Sequence, residues 1–242
     1  MKATVVVVYA VLCCGCAVGM PATLRSFDEL RERRVEMPRP TPELAGKELE
    51  DATTLVDATR ETLESARFAR NLIATRVFLA KLALGPNGAE IEQSQAAAMY
   101  LGQDPAHRVV PSTVDWSQSA NRTVMANTNL LSNGHSGHIS IGKITRERWA
   151  DTIDIYKRSC AINTLAHEMA HLIPEAPGRS NASLFVDRGR WWATFWGRPL
   201  GSYVFGAVAQ CTYLELHGIK QALSECVEQR GINDLMSRAC EN

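Results

Sequence analysis

The chain has 242 residues, of which 45% are hydrophobic, and its 26 basic and 26 acidic residues leave no formal net charge. This length is enough for one domain, or for one domain with an appended helical subdomain. The neutral balance and the lack of a basic stripe exclude nucleic acid as an expected partner.

The first 22 residues have the features of an export signal. Lys2 precedes an apolar run over residues 5–12, which has the length of a signal core and is short for a membrane span. Two processing routes stay open: cleavage at the small residues 17–19, or lipid attachment at Cys16, which resembles the modified cysteine of bacterial lipoproteins. The sequence therefore predicts an exported protein of bacterial type, which is periplasmic, secreted, or anchored to a membrane through a lipidated Cys16.

Four of the seven cysteines lie beyond the signal, namely Cys160, Cys211, Cys226 and Cys240. An even number of cysteines in an oxidising compartment predicts two disulfides, and four cysteines allow three pairings. Among these pairings we expect Cys160–Cys211 and Cys226–Cys240.

Residues 23–42 are predicted to form an extended linker, because prolines and charged residues dominate this segment. Apolar residues then recur at steps of three and four over residues 43–84, which predicts one long helix or two. A further helix is predicted over residues 89–101. Together, residues 43–103 are expected to form an N-terminal helical layer over the rest of the chain.

From residue 104 to residue 242 the composition changes, and short β-prone runs alternate with turns and apolar segments. Strands are predicted at residues 121–131 and 138–143. Residues 151–173 are predicted to be helical, either as one helix or with a break near Lys157, and the last ten of them read TLAHEMAHLI.

His167 and His171 are four residues apart in this helix, so both imidazoles lie on one helix face. Two such nitrogens at about 2.0–2.1 Å can share one tetrahedral Zn²⁺. Glu168 follows the first histidine, where its carboxylate can take a proton from a water that the metal activates. Two histidines and an acid on an otherwise uncharged helix are costly to bury without such a partner, so the pattern indicates a zinc hydrolase.

The His-Glu-x-x-His pattern, with Thr164 three residues before the first histidine and uncharged flanks, resembles the signature of the zincin metallopeptidases. The resemblance implies an α+β fold of zincin type, rich in helices, with a small mixed sheet packed on the motif helix. It implies a catalytic domain over residues 104–242, in which an edge strand, expected at residues 138–143, lines the substrate cleft. The chain is expected to act as a monomer on a peptide or protein substrate.

A catalytic zinc takes three protein ligands and leaves the fourth position to water. Metzincins have a glycine three residues after the second histidine and a third histidine further on. Pro174 and Pro177 occupy those positions here, which excludes that family. Zincins with a glutamate ligand would supply Glu215, whereas those with an aspartate ligand, the deuterolysin and peptidyl-Lys metalloendopeptidase group, would supply Asp187. Asp187 is the preferred ligand, because an aspartate among apolar and glycine neighbours has no evident structural task. Tyr203 is the expected hydrogen-bond donor to a developing oxyanion.

The sequence thus predicts an exported zinc metalloendopeptidase, with His167, His171 and Asp187 on the metal and Glu168 and Tyr203 in catalysis. The alternative is a membrane-anchored, catalytically inactive zincin-like protein with a binding or envelope-structural role. A purely structural metal site has no need of Glu168, so the sequence favours the enzyme.

Overall fold

The computed structural model describes residues 35–77, 79–85, 89–104, 106–116, 125–132, 134–176, 182–187, 194–195 and 198–228. The predicted signal of residues 1–22, with Cys16, and Cys240 lie outside these ranges. The helices are α1 (Gly46–Glu64), α2 (Ala66–Ala74), α3 (Gln93–Tyr100), α4 (Lys143–Ala150), α5 (Ile155–Ala170), α6 (Gly201–Leu216) and α7 (Leu223–Val227). The strands are β1 (Arg39–Pro40), β2 (Lys81–Ala83), β3 (Glu90–Glu92), β4 (Ser112–Trp116), β5 (Ala126–Leu130), β6 (Gly137–Ile141), β7 (Thr194–Phe195) and β8 (Arg198–Pro199). Within the described ranges, no helix combines the length and the apolar composition that crossing a membrane requires.

The largest sheet has four strands in the order β1–β4–β6–β5. β4 pairs in parallel with β1 and with β6, whereas β5 runs antiparallel to β6 at the edge of the sheet. Alternate residues face the core, as a pleated strand requires, so Val114 and Ile139 are buried while Thr113 and His138 are partly exposed. The prediction that residues 138–143 form the edge is therefore wrong, because β6 is central and β5 is the edge strand beside α5.

Helix α5 is the centre of the molecule, since it packs on the sheet on one side and on α6 on the other. Leu165, Ala166 and Met169 have no exposed surface, as expected of the second half of α5, in which Glu168 is the one acidic or basic residue besides histidine. Helices α1 and α2 pack on this pair, and a single core cluster extends from Val35 to Val227. The described residues thus form an α+β fold with seven helices and a small mixed sheet.

The motif helix begins at Ile155, four residues later than the predicted start at residue 151. Asp154 sets this boundary, because its Oδ1 accepts hydrogen bonds from the backbone N–H groups of Tyr156 and Lys157, at 2.9 and 3.2 Å. The preceding α4 is a separate helix that ends at Ala150.

Two helices, α1 and α2, occupy most of residues 43–84, and the described residues 79–84 are not helical, so the predicted end at residue 84 is wrong. Ser65 separates α1 from α2, since its Oγ accepts a hydrogen bond from the backbone N–H of Phe68 at 3.0 Å and caps the second helix. Beyond a single 3-10 turn at Thr75–Val77, the chain forms β2, which pairs antiparallel with β3. Pairing between these two short strands overrides the helical spacing of their apolar residues.

The segment predicted as a linker, residues 23–42, is part of the fold from residue 35 onwards. Val35 and Met37 are buried, and Arg39–Pro40 forms β1 beside β4. Proline is accommodated there because β1 is an edge strand.

Both predicted disulfide pairings are wrong. Cys211 on α6 bonds Cys226 on α7, over a sequence separation of 15 residues. Cys160 is disulfide-bonded as well. Sequence spacing could not reveal this pairing, because it depends on how α7 folds back on α6.

Replacing both Cys211 and Cys226 by Ser should lower the free energy of unfolding by about 3 kcal/mol, the loop-closure value for a cross-link of this span. Urea denaturation of the variant and the wild type measures the difference. The substitution is preferable to a reducing agent, because it leaves the disulfide of Cys160 intact. An unchanged free energy of unfolding would contradict the bond.

At Gly206, helix α6 comes close to α5. A Cβ atom there would lie 2.9 Å from the backbone oxygen of Asn163 and 3.1 Å from the Cβ of His167. Next to this contact, Asn163 Nδ2 donates to Gln210 Oε1 at 2.8 Å and Gln210 Nε2 donates to Ser159 Oγ at 3.0 Å. Gly206 therefore permits an approach that a buried hydrogen-bond network holds in one register.

Gly206→Ala should destabilise the protein by about 1–3 kcal/mol, the usual penalty for overpacking a core. The sign of this change in the free energy of unfolding is informative, because a glycine-to-alanine change in a helix with free space stabilises a protein by about 0.4–1 kcal/mol. Urea denaturation measures the change, and a more stable variant would show that the two helices are not in close contact here.

Candidate metal centre

Helix α5 places the two histidines of the motif side by side. The ring centroids of His167 and His171 are 4.9 Å apart, and their Nε2 atoms are 3.2 Å apart. His171 is the C-cap residue and keeps helical dihedral angles, so it remains on the same helix face as His167. Both side chains are mostly buried, with 14% of each exposed.

Asp187 reaches this pair from the segment that follows the helix. Three backbone hydrogen bonds hold that segment: Leu184 N–H donates to Ile173 O, Glu175 N–H to Ala182 O, and Val186 N–H to Leu84 O. The Oδ2 atom of Asp187 then lies 2.6 Å from Nε2 of His167 and 3.0 Å from Nε2 of His171. In the described part of the chain, these three form the one group of His, Cys, Asp or Glu side chains positioned to share a metal ion.

Two neighbours orient these side chains. The Nδ1–H of His171 donates to the backbone oxygen of Phe185 at 2.6 Å, because a carbonyl can only accept. The lone pair of a neutral His171 is then on Nε2, towards Asp187 and His167. Ser202 Oγ donates to the other carboxylate oxygen of Asp187, Oδ1, at 2.6 Å. Such outer contacts are typical of metal-binding residues.

The electrostatics of this group favour a positive charge at its centre. Burial opposes ionisation of Asp187, but the nearby His167 and His171 hold the pKa of this carboxyl far below its usual range. Burial also disfavours the charged imidazole, yet the hydrogen bond and charge of Asp187 raise the pKa of His171 to about 9. A proton or a metal cation between the rings satisfies both residues.

The donor set fits a tetrahedral divalent metal. Two ligands at tetrahedral positions, each about 2.0–2.1 Å from a zinc ion, stand about 3.3 Å apart. The distance of 3.2 Å between the two Nε2 atoms matches this separation, and the Asp187 contacts of 2.6 and 3.0 Å are somewhat shorter. Two neutral imidazoles and one carboxylate suit zinc in chemical type, and such a set leaves a fourth position for another ligand.

Glu168 lies next to this group on α5 and is 7% exposed. Its Oε2 accepts a hydrogen bond of 2.6 Å from Thr128 Oγ1, on the edge strand β5. The charge of Glu168 also acts on the imidazole of His171 and on the phenol of Tyr203. The carboxylate is therefore close to the metal-binding group and is held by a single hydroxyl among the contacts of the described residues.

Tyr203 stands in the first turn of α6, and its ring packs edge-on against the ring of His167 at 4.6 Å. Burial, together with the charges of Asp187 and Glu168, raises the pKa of the Tyr203 phenol. The phenol stays protonated near neutral pH and can donate a hydrogen bond beside the metal-binding group.

Glu215, the other candidate ligand, is elsewhere. It stands in the last turn of α6, where Arg67 donates to its Oε1 at 2.8 Å and Asn71 Nδ2 donates to its Oε2 at 3.1 Å. These contacts use both carboxylate oxygens, so the structure groups the two histidines with Asp187 and not with Glu215.

Sequence reasoning missed three contributors to this site: the hydroxyl of Thr128, the hydroxyl of Ser202 and the backbone oxygen of Phe185. Ser202 precedes the nominated Tyr203 and could have been found as a polar residue at a helix start. A backbone oxygen leaves no trace in a sequence, and Thr128 depends on the register of a strand against a distant helix.

No protein-family model, curated protein or solved structure matches this chain. A functional conclusion therefore depends on the geometry and the chemistry of the site itself.

Asp187→Ala should weaken Zn²⁺ binding by more than about 100-fold, the upper end of the loss that follows removal of an outer contact. Glu215→Ala is the matched control, since it removes a carboxylate from the same chain without touching the site, and its affinity should equal that of the wild type. Titration of chelator-treated apoprotein with Zn²⁺ measures both variants. Equal affinities in the two variants would contradict the role of Asp187.

Proposed function

We propose that this protein is an exported zinc-dependent peptidase with a zincin-like active site. The observation that carries the proposal is the convergence of His167 Nε2, His171 Nε2 and Asp187 Oδ2 beside the buried carboxylate of Glu168. A metal site with a structural role alone would not require a buried acid next to it, because burying an acid is unfavourable.

His167, His171 and Asp187 would hold the zinc ion. When bound, zinc lowers the pKa of a water ligand and polarises a substrate carbonyl. Glu168 accepts the proton of the attacking water and passes it to the leaving amine, which is the task of a general base that becomes a general acid. Tyr203 donates a hydrogen bond to the oxyanion that develops on the carbonyl oxygen.

The edge strand β5 supports a peptide as substrate. The hydrogen bonds Gly142 N–H to Met125 O and Leu131 N–H to Ser136 O show that odd-numbered residues of this strand bond to β6. The backbone groups of the even-numbered residues, Thr128 among them, therefore point away from β6, and no described strand pairs there. An extended peptide can add to this edge with its scissile bond near Glu168.

The position of Asp187, after the motif helix, resembles the position of the aspartate ligand in zincins of the deuterolysin type. The disulfide between Cys211 and Cys226 supports an oxidising, extracytoplasmic compartment. Two expectations from the sequence stay open within the proposal: the export signal ends either in cleavage at residues 17–19 or in lipid attachment at Cys16, and the protein acts as a monomer.

Glu168→Gln should lower kcat for peptide hydrolysis by about 10²–10⁴-fold, the usual contribution of a general base. The zinc content should stay that of the wild type, because Glu168 is not a ligand. A fluorogenic peptide library detects the activity, and elemental analysis measures the zinc.

A chelator should abolish the wild-type activity, and added Zn²⁺ should restore it. Wild-type protein that binds zinc at this site but cleaves no peptide would favour the alternative, an inactive zincin-like binding or envelope protein. Undiminished activity in Glu168→Gln would contradict the role of the carboxylate.

A further inference from the structure

One side chain of the edge strand contacts the proposed general base. Thr128 Oγ1 lies 2.6 Å from Glu168 Oε2 and 3.2 Å from the backbone oxygen of Glu168. We propose that Thr128 is the positioning residue for Glu168: its hydroxyl holds the carboxylate in the orientation that proton transfer needs. This inference rests on the proposed function and assigns to that site a residue that the zinc-binding pattern does not include.

Among the described residues, the Thr128 hydroxyl is the one side-chain group that forms a hydrogen bond with the Glu168 carboxylate. The Glu168 side chain has three rotatable bonds, and the residues one helical turn away or adjacent on the chain, Leu165, Met169 and Leu172, are buried and apolar. No Lys or Arg of the described residues forms an ion pair with Glu168. The shorter of the two Thr128 contacts is a charge-assisted hydrogen bond, so the single hydroxyl proton goes to the carboxylate rather than to the backbone oxygen.

Threonine suits this task because its side chain has little rotational freedom. Its branched Cβ restricts the first side-chain torsion in a strand, so the hydroxyl has a fixed direction. The pairing of Thr128 with the fully buried Ile139 shows that its side chain is on the α5 face of the sheet. Asn127 and Asn129, on either side, are exposed on the opposite face.

Thr128 has two proposed roles: its backbone binds the substrate, and its side chain orients Glu168 for proton transfer. Its N–H and C=O point to the side of β5 away from β6, where no described strand pairs and the proposed substrate adds, whereas its hydroxyl points to Glu168. Thr128→Val keeps the backbone and the branched shape but removes the hydroxyl. The substitution should therefore leave substrate binding unchanged and impair proton transfer.

The test compares peptide hydrolysis by the wild type, Thr128→Val and Thr128→Ser, each loaded with Zn²⁺. We expect kcat of Thr128→Val to fall by up to about 100-fold, the effect of misplacing a reacting group by about 1 Å. KM and zinc content should change by less than about twofold, and Thr128→Ser should recover most of the loss. A rise in KM at constant kcat, or a serine variant as impaired as the valine variant, would overturn the proposal.

A second comparison asks whether Thr128 acts through Glu168. In the Glu168→Gln background, Thr128→Val should produce no further loss of the residual rate, because the group that it positions has already lost its function. The same proportional loss in both backgrounds would show that Thr128 acts elsewhere. Thr128→Ala serves as a smaller substitution if the valine variant does not fold.

Crystal structures of the zinc-loaded wild type and Thr128 variants decide the proposal independently of activity. The Glu168 carboxylate should occupy one position in the wild type and the serine variant and should leave it in the valine variant. A carboxylate that stays in place without the hydroxyl overturns the inference. Absence of peptidase activity from the wild type, in contrast, would refute the proposed function. The structural comparison would then still decide whether the Thr128 hydroxyl holds the Glu168 carboxylate in place.

Discussion

The contact between α5 and α6 is the constraint on which the site depends. Gly206 permits the two helices to approach until a Cβ would no longer fit, and the buried amides of Asn163 and Gln210 hold their register. This contact places Ser202 and Tyr203, at the start of α6, beside the histidines at the end of α5. A shift of α6 by one turn would separate these groups by about 5.4 Å, which is beyond hydrogen-bond reach.

Two carboxylates in the interior carry negative charge that is unfavourable to bury, and a bound cation would compensate this charge. Asp187 and Glu168 are both largely buried, and a buried carboxylate without a partner is strongly unfavourable. The protein compensates Asp187 with two imidazoles and the Ser202 hydroxyl, and Glu168 with the Thr128 hydroxyl. These contacts point the lone pairs of His171 and Asp187 to one place, which gives an arrangement that could hold a divalent metal ion.

The sheet connects the proposed substrate edge to the proposed chemistry. β5 is antiparallel in an otherwise parallel sheet and packs beside α5. A one-residue slip of its register would turn Thr128 to the outer face and bring an asparagine towards Glu168. Residue 128 can thus serve both substrate docking, through its backbone, and orientation of the base, through its side chain.

Local sequence is sufficient for the spacing of His167 and His171, the helix that carries them and the adjacent Glu168, because a helix relates residues one turn apart by a fixed rotation. The α+β class, which the resemblance of the motif implied, is also what the described residues form. Local sequence favoured Asp187 over Glu215 as the third ligand, but it could not identify β5 as the edge, pair Cys211 with Cys226 or find Thr128. Each of these depends on segments far apart in the chain, whose approach is governed by packing and strand register rather than by any local pattern.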